Sequence, residues 1–352
     1  MTQSVIAEVR GRVGFLTLNR PAALNALDLD MIRALTAALT AWRDRPEIHA
    51  VAITGEGRAF CAGGDVRAIR DAALRGDAAA IEAFFSAEYA FNLQIAEYPK
   101  PFVALVGGIC MGGGIGVSVH GSFRVATEAA MFAMPETGIA LFPDIGASFL
   151  LPRLPGALGM YLGLTGTRLN GADAVHAGLA THFVPQDDLA ALRDALAADG
   201  VAALARFAAP LPPFSLADQL PAINRCFAAP SVAGILARLG DEGAWGASTL
   251  ATLRAMSPSS VLWSFGIVQR GAHRSLPACL AAELRLTRSV TFHPDFAEGV
   301  RAMIVDKDRA PKWSHVSIEA VELAVIDAML ADDGTVEADG YEQRVGRAPT
   351  AM

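Results

Sequence analysis

The apolar positions of the chain alternate between a two-residue and a 3.6-residue period. Val5–Val9 and Val13–Asn19 predict two strands joined as a hairpin at Gly11–Arg12. Pro21 ends the second strand, and Asp28 is placed to cap a helix that carries Met31, Leu35, Leu39 and Trp42 on one face. Ala50–Thr54 is a short, wholly apolar run, as expected of a buried parallel strand, and the glycine-rich loop GEGRAFCAGGDV follows it. Helical spacing resumes over Val66–Leu74 and Ala78–Glu97. Pro99–Pro101 stops it, and PFVALVG predicts another buried strand. Val117–His120 reads as helix and Ser122–Thr127 as strand. Strands alternating with helices imply an α/β fold for roughly the first 200 residues.

Beyond Phe207 the pattern changes. The proline-rich segment AAPLPPFSLADQLP reads as a connector, and nearly everything after it has helical spacing: Leu220–Phe227, Val232–Arg238, Ala247–Met256, Ser259–Arg270, Leu276–Phe292 and Asp295–Val305. The expected organisation is an α/β core over residues 1–206 and a helical region over residues 207–352. Composition narrows the function classes. A chain that is 53% hydrophobic and 18% charged is not disordered, and a net charge of −7 gives no footprint for nucleic acid. Cys61, Cys110, Cys226 and Cys279 are scattered, as expected of reduced thiols rather than a disulfide framework or a zinc site. The N-terminus shows neither a signal-peptide nor a transit character, and no apolar run is long enough to span a bilayer, so a cytoplasmic protein without membrane partners is expected.

The candidate chemistry lies between Gly107 and Gly146. Gly112–Gly114 precede a helix, where backbone N–H groups can approach a ligand with no Cβ in the way and the helix dipole suits a developing oxyanion. Glu136 and Asp144 follow in an apolar setting, where a carboxyl group is costly unless paired or used. Asp144 also fits an N-cap before Gly146–Leu151. No Gly-Lys-Ser/Thr follows the glycines, which excludes a phosphate loop, and a dinucleotide fingerprint lacks its distal acid. Ser118 has His120, not glycine, two residues on and reads as structural. His176 and His182 make no metal pair, and no metal is expected. Arg274, Arg285, Arg288 and Arg301 read as solvated charges, among which the sequence singles out no phosphate contact.

Four stretches, NRPAALNAL, GRAFCAGGDV, PFVALVGGICMGGGIGVSVHGSFRVA and FAMPETGIALFPDIGASFLLPRL, together resemble the crotonase (enoyl-CoA hydratase/isomerase) superfamily in its own order. AGGD followed by VR, the HGSFRVATE…FAMPET…LFPDIG run and the late FHPDFAEGVRAMIVDKDRAPKW resemble its 3-hydroxyisobutyryl-CoA hydrolase branch. The resemblance implies a ββα spiral core followed by a helical C-terminal region, and an acyl-CoA substrate with no further cofactor, CoA being part of that substrate. It implies an oxyanion hole formed by the N–H groups of Gly64 and Gly113. Asn25, Ala26 and Leu27, with Ala62 and Asp65, would line the adenine and pantetheine end, and Glu88 would assist substrate binding. Hydratases of the family carry a glutamate where this chain has Gly116, and usually a glycine where it has Asp144. The pairing of Glu136 with Asp144 therefore implies hydrolysis of a short β-hydroxyacyl-CoA thioester, as in valine catabolism. The alternatives are a hydratase or isomerase acting on a short enoyl-CoA, and a CoA-binding protein without catalysis. Phe142, Met134 and Leu141 are candidate walls of the acyl pocket. Family members are often trimers or trimer pairs, so a homo-oligomer, trimer or dimer, is an open expectation; the long C-terminal region could instead cover that surface within one chain.

Overall fold

The computed structural model describes residues 3–331. The expected hairpin forms from β1 (Val5–Arg10) and β2 (Val13–Leu18), and β2 continues in parallel to β3 (Ala50–Gly55). Between them lies α1 (Leu29–Arg43), capped by Asp28, which accepts from the Met31 N–H at 2.8 Å. From β3 onward each turn of the chain lays one strand into each of two sheets and then returns by helix. The first turn is β3, β4 (Ala59–Cys61), α2 (Val66–Leu74) and α3 (Ala78–Ala96). The second is β5 (Phe102–Val106), β6 (Ile109–Met111) and α4 (Gly113–Val119). The third is β7 (Phe123–Ala126), β8 (Met131–Ala133), a 3-10 turn at Glu136–Ile139, α5 (Ala147–Leu150) and α6 (Leu158–Thr165). Then come β9 (Leu169–Asn170), α7 (Gly171–Ala177) and β10 (His182–Phe183). The sheets run β1-β2-β3-β5-β7-β10 and β4-β6-β8-β9, which is the ββα spiral the sequence implied. The three-residue strand β4 lies inside the stretch that reads as a glycine-rich loop, and β6 and β8 lie where the pattern predicts no element, because three residues are too few to display a period.

Side chains of β2 divide between two cores, as strand alternation requires. Val13 and Phe15 pack with Ala50, Val103 and Val125 under α8 (Leu189–Asp199) and α9 (Leu204–Phe207), while Leu16 and Leu18 enter the larger cluster. Residues 208–214 form the connector, with neither helix nor strand. The helical region follows as α10 (Leu220–Phe227), α11 (Val232–Leu239), α12 (Gly243–Ala255), α13 (Pro258–Gly271), α14 (Leu276–Val290), α15 (Pro294–Val300) and α16 (Leu323–Met329). The last long predicted helix splits, with α15 passing into a π-helical turn at Arg301–Val305. Residues 332–352 of the expected helical region lie outside the described residues. Among the described residues no helix is long and apolar enough to cross a membrane.

The helical region shares the larger core with the spiral: Trp263, Leu286 and Leu330 belong to the same buried cluster as Leu16, Phe102 and Phe142. One polar tie is at Leu141, whose carbonyl accepts from Trp263 Nε1 at 3.0 Å and from the Ser260 hydroxyl. Trp263→Ala removes a fully buried indole and one of these donors. It is expected to lower unfolding free energy by about 3–5 kcal/mol, read as an earlier midpoint in urea denaturation of the whole chain.

Candidate active site

The third turn of the spiral, the oxyanion-type loop after β4 and the C-terminal helices enclose a cavity of about 490 Å³. Gly64, Gly113, Glu88, Glu136 and Asp144 all line it, so the catalytic candidates and Glu88 converge on one space although they come from four separate stretches. Ala255, Met256, Met303, Ile304, Arg309 and Pro311 close it from the helical region.

Two backbone reversals shape the floor. Gly63 has φ +107° and Gly112 φ +49°, conformations a side chain would strain. No turn or loop hydrogen bond uses the N–H of Gly64 or of Gly113. Both are thus available as donors to an oxygen bound between them. The glycines also make room for acids. A β-carbon on Gly112 would meet Glu136 Oε1 at 2.7 Å, and one on Gly113 would collide with Glu88 Oε1. Glu136 Oε2 and Glu88 Oε1 are buried with no hydrogen-bond partner, in side chains almost wholly removed from solvent. Burial, and then the charge of Asp144, push both carboxyls well above the usual range.

Asp144 is held differently. Burial raises its carboxyl to about 6, opposed by the Tyr89 hydroxyl, which donates to Oδ2 at 2.7 Å. It does not cap the next helix, contrary to the N-cap expectation. Gly146 occupies the cap position, and Glu283 of α14 caps from outside, accepting from Gly146 N–H at 2.7 Å, Ser148 N–H at 2.9 Å and the Ser148 hydroxyl at 2.6 Å. Between them Ile145 sits at φ +57°, a left-handed conformation costing a β-branched residue about 1–3 kcal/mol. Buried His120, pushed down to about 4 by desolvation, is neutral and donates Nε2–H to the Ile145 carbonyl at 2.8 Å. Glu283 and His120 thus hold a strained turn that points Asp144 into the cavity.

At Gly116, where hydratases of the family carry a glutamate, a β-carbon would lie 2.8 Å from Ile145 Cβ and 2.9 Å from Asn92 Nδ2. The strained turn and α3 have filled that place.

The remaining candidates divide. Ala62 lines the cavity. Asp65 caps α2, accepting from Ala68 N–H, and borders an adjoining pocket of about 260 Å³ that shares Phe84 with the main cavity. Asn25, Ala26 and Leu27 line neither. The Asn25 amide donates to the carbonyls of Glu56 and Ala59, and its Oδ1 accepts from Arg20 N–H. Leu27 N–H donates to Gly63, and the Leu27 carbonyl accepts from Asp65 N–H. Arg20 donates to the carbonyl of Ala26. This segment stitches the Gly63–Gly64 loop in place. Of the expected pocket walls Leu141 faces the cavity, while Met134 and Phe142 do not. Ser118 donates to the Ile115 carbonyl within α4, as a structural serine does. Arg301 is spent on Glu298, Asp306 and Asp308, and the cavity's two arginines are Arg168 and Arg309, which no helical pattern singled out. Tyr89, Asn92 and Glu283 were also missed; each reads as an ordinary helix residue until the tertiary structure brings it to the turn.

Comparison with known proteins places this geometry. The enoyl-CoA hydratase/isomerase family matches residues 13–330. A curated relative from Xenopus tropicalis, named 3-hydroxyisobutyryl-CoA hydrolase, mitochondrial, is 46% identical over 92% of this chain and 88% of its own length. The human protein of the same name is 42% identical over 91% and 86%. Among solved structures, a carnitinyl-CoA dehydratase from Mycobacterium thermoresistibile superposes with a TM-score of 0.90 at 39% identity, covering 97% of this chain and all of that one. An enoyl-CoA hydratase from Rhodobacter sphaeroides gives 0.87 at 40%, covering 94% and 98%. The curated relatives are named as mitochondrial, which overturns the cytoplasmic expectation. Scattered cysteines and net acidity report on redox state and partner class, and do not separate one reducing compartment from another. With its spiral, its paired glycine loops and a match over residues 13–330, the chain belongs to the enoyl-CoA hydratase/isomerase family.

Proposed function

We propose that the protein hydrolyses 3-hydroxyisobutyryl-CoA to 3-hydroxyisobutyrate and CoA, a step of valine breakdown, and the filled place at Gly116 carries this reading. Adding water across a double bond uses two glutamates on one water. Here Ile145 and Asn92 occupy the room for the second, and the same turn presents Asp144 instead. The curated relatives at 41–46% identity bear the hydrolase name, which agrees with this departure better than the dehydratase and hydratase names of the solved structures at 39–40%.

In this reading the thioester carbonyl lies between Gly64 and Gly113, whose N–H groups stabilise the oxyanion as the carbon becomes tetrahedral. Glu136 supplies the electron pair, at the carbonyl carbon itself to give an anhydride or through a water that it deprotonates. The C–S bond then breaks and CoA leaves as thiolate, which takes up a proton. In the anhydride route water then hydrolyses the anhydride and frees Glu136; in the base route the attacking water has already supplied the acid's second oxygen. Burial makes Glu136 a stronger base than a solvated glutamate, and ionised Asp144 accepts from the substrate's 3-hydroxyl or from the attacking water. The reaction draws on no metal or redox group; CoA enters with the substrate.

Thiol release from 3-hydroxyisobutyryl-CoA tests this. Glu136→Gln should lower kcat by about 10²–10⁴-fold. Asp144→Asn, which loses a charged hydrogen bond of about 1.5–3 kcal/mol, should lower kcat/KM by about 10–100-fold. Unchanged release in Glu136→Gln would contradict the assignment. The active form has both Asp144 and Glu136 ionised, so kcat/KM should rise with pH, and not before pH passes about 6, where Asp144 loses its proton. Tyr89→Phe removes the donor that favours the charge, so its acid limb should move to higher pH. Gly116→Glu should destabilise the fold, seen as a lower Tm, and yield no gain in crotonyl-CoA hydration.

A further inference from the structure

Glu88 is the buried acid that this mechanism leaves unused. It is 2% exposed, lines the reaction cavity, and its Oε1 has no hydrogen-bond partner. Its position relative to the oxyanion loops is specific. A β-carbon on Gly113 would collide with Glu88 Oε1 on one side and lie 3.2 Å from Gly64 N on another. The oxygen therefore stands against Gly113, in the cavity that Gly64 also lines and where their N–H groups would hold the thioester oxygen. An ionised carboxylate there would repel the oxyanion it borders, whereas a carboxylic acid would have one O–H to offer it.

The surroundings favour the acid. Facing Glu88 are Asp144 and Glu136 across the cavity and the buried Cys61 thiol of β4, with Tyr89 beside it on α3. Glu283, on the packed α14, adds a further carboxyl next to Asp144. Arg70 of α2 pairs with Asp71 and Arg288 of α14 with Glu82, and neither Arg168 nor Arg309 forms an ion pair with Glu88 among the described residues. Burial and the charge of Asp144 both raise its carboxyl, and nothing opposes them, whereas Glu136 has a backbone N–H that favours its charge.

We propose that Glu88 acts as a neutral carboxylic acid that donates its O–H to the thioester oxygen, completing a three-donor oxyanion hole with the N–H groups of Gly64 and Gly113. The proposal rests on the thioesterase reading above. No bond to Glu88 is made or broken: its proton stays on the carboxyl throughout, and the hydrogen bond strengthens as charge develops on the substrate oxygen.

The test has two arms. In thiol release from 3-hydroxyisobutyryl-CoA, Glu88→Gln keeps a neutral donor and should stay within about tenfold of wild type. Glu88→Ala should lose about 10²–10³-fold in kcat, the usual effect of one oxyanion donor. The wild-type rate should fall as rising pH ionises Glu88, and Glu88→Gln should lack that fall. In the second arm, the infrared difference between wild type and Glu88→Gln at neutral pH should contain the carbonyl band of a protonated acid. Glu88→Gln as slow as Glu88→Ala, or a difference spectrum with carboxylate bands alone, would overturn the proposal. The infrared arm needs no turnover. A protein that releases no thiol would fail the hydrolase reading while the acid band still decides the state of Glu88.

Discussion

Space at the glycine run governs this site. β-Carbons on Gly112 and Gly113 would collide with carboxyl oxygens of Glu136 and Glu88, so the residues that free the backbone N–H groups also admit the acids. In the proposed mechanism the same missing side chains serve both requirements of thioester chemistry, a donor for the oxyanion and a base within reach. Burial is the consequence. Burial raises the carboxyls of Glu88, Glu136 and Asp144 above the solvated range, and the charge of Asp144 raises those of Glu88 and Glu136 further.

The second constraint is the turn at Ile145. Its left-handed backbone is held by His120 on one side and by Glu283 on the other, while Tyr89 fixes the Asp144 carboxyl itself. Glu283 belongs to α14 and stands 137 residues from Gly146. The helical region is therefore part of the reaction site as well as its cover: it caps the turn that presents Asp144, and Met256, Met303 and Arg309 wall the cavity. The continuous core between spiral and helices gives that positioning its rigidity.

Much of this was legible in the chain. Apolar runs marked the long strands, capping residues such as Asp28 marked helix starts, and the glycine motifs with Glu136 and Asp144 marked the cavity floor. What escaped has a common cause. Strands of three residues show no period, and Tyr89, Asn92 and Glu283 sit on helices whose local pattern gives no sign of what faces them across the fold. Asn25–Leu27 illustrates the reverse. The resemblance implied substrate contact there, and the structure shows its amide and backbone groups bracing the Gly63–Gly64 loop and the strand before it.

The central claim is that filling the place at Gly116 and presenting Asp144 turns a hydratase scaffold to thioester hydrolysis. The most direct measurement follows thiol release and enoyl absorbance together, with 3-hydroxyisobutyryl-CoA and crotonyl-CoA offered side by side to the wild-type protein. Rapid CoA release from the hydroxyacyl thioester, with the enoyl absorbance of crotonyl-CoA undiminished, is the result this account predicts. Consumption of crotonyl-CoA without release of thiol from either substrate would contradict it.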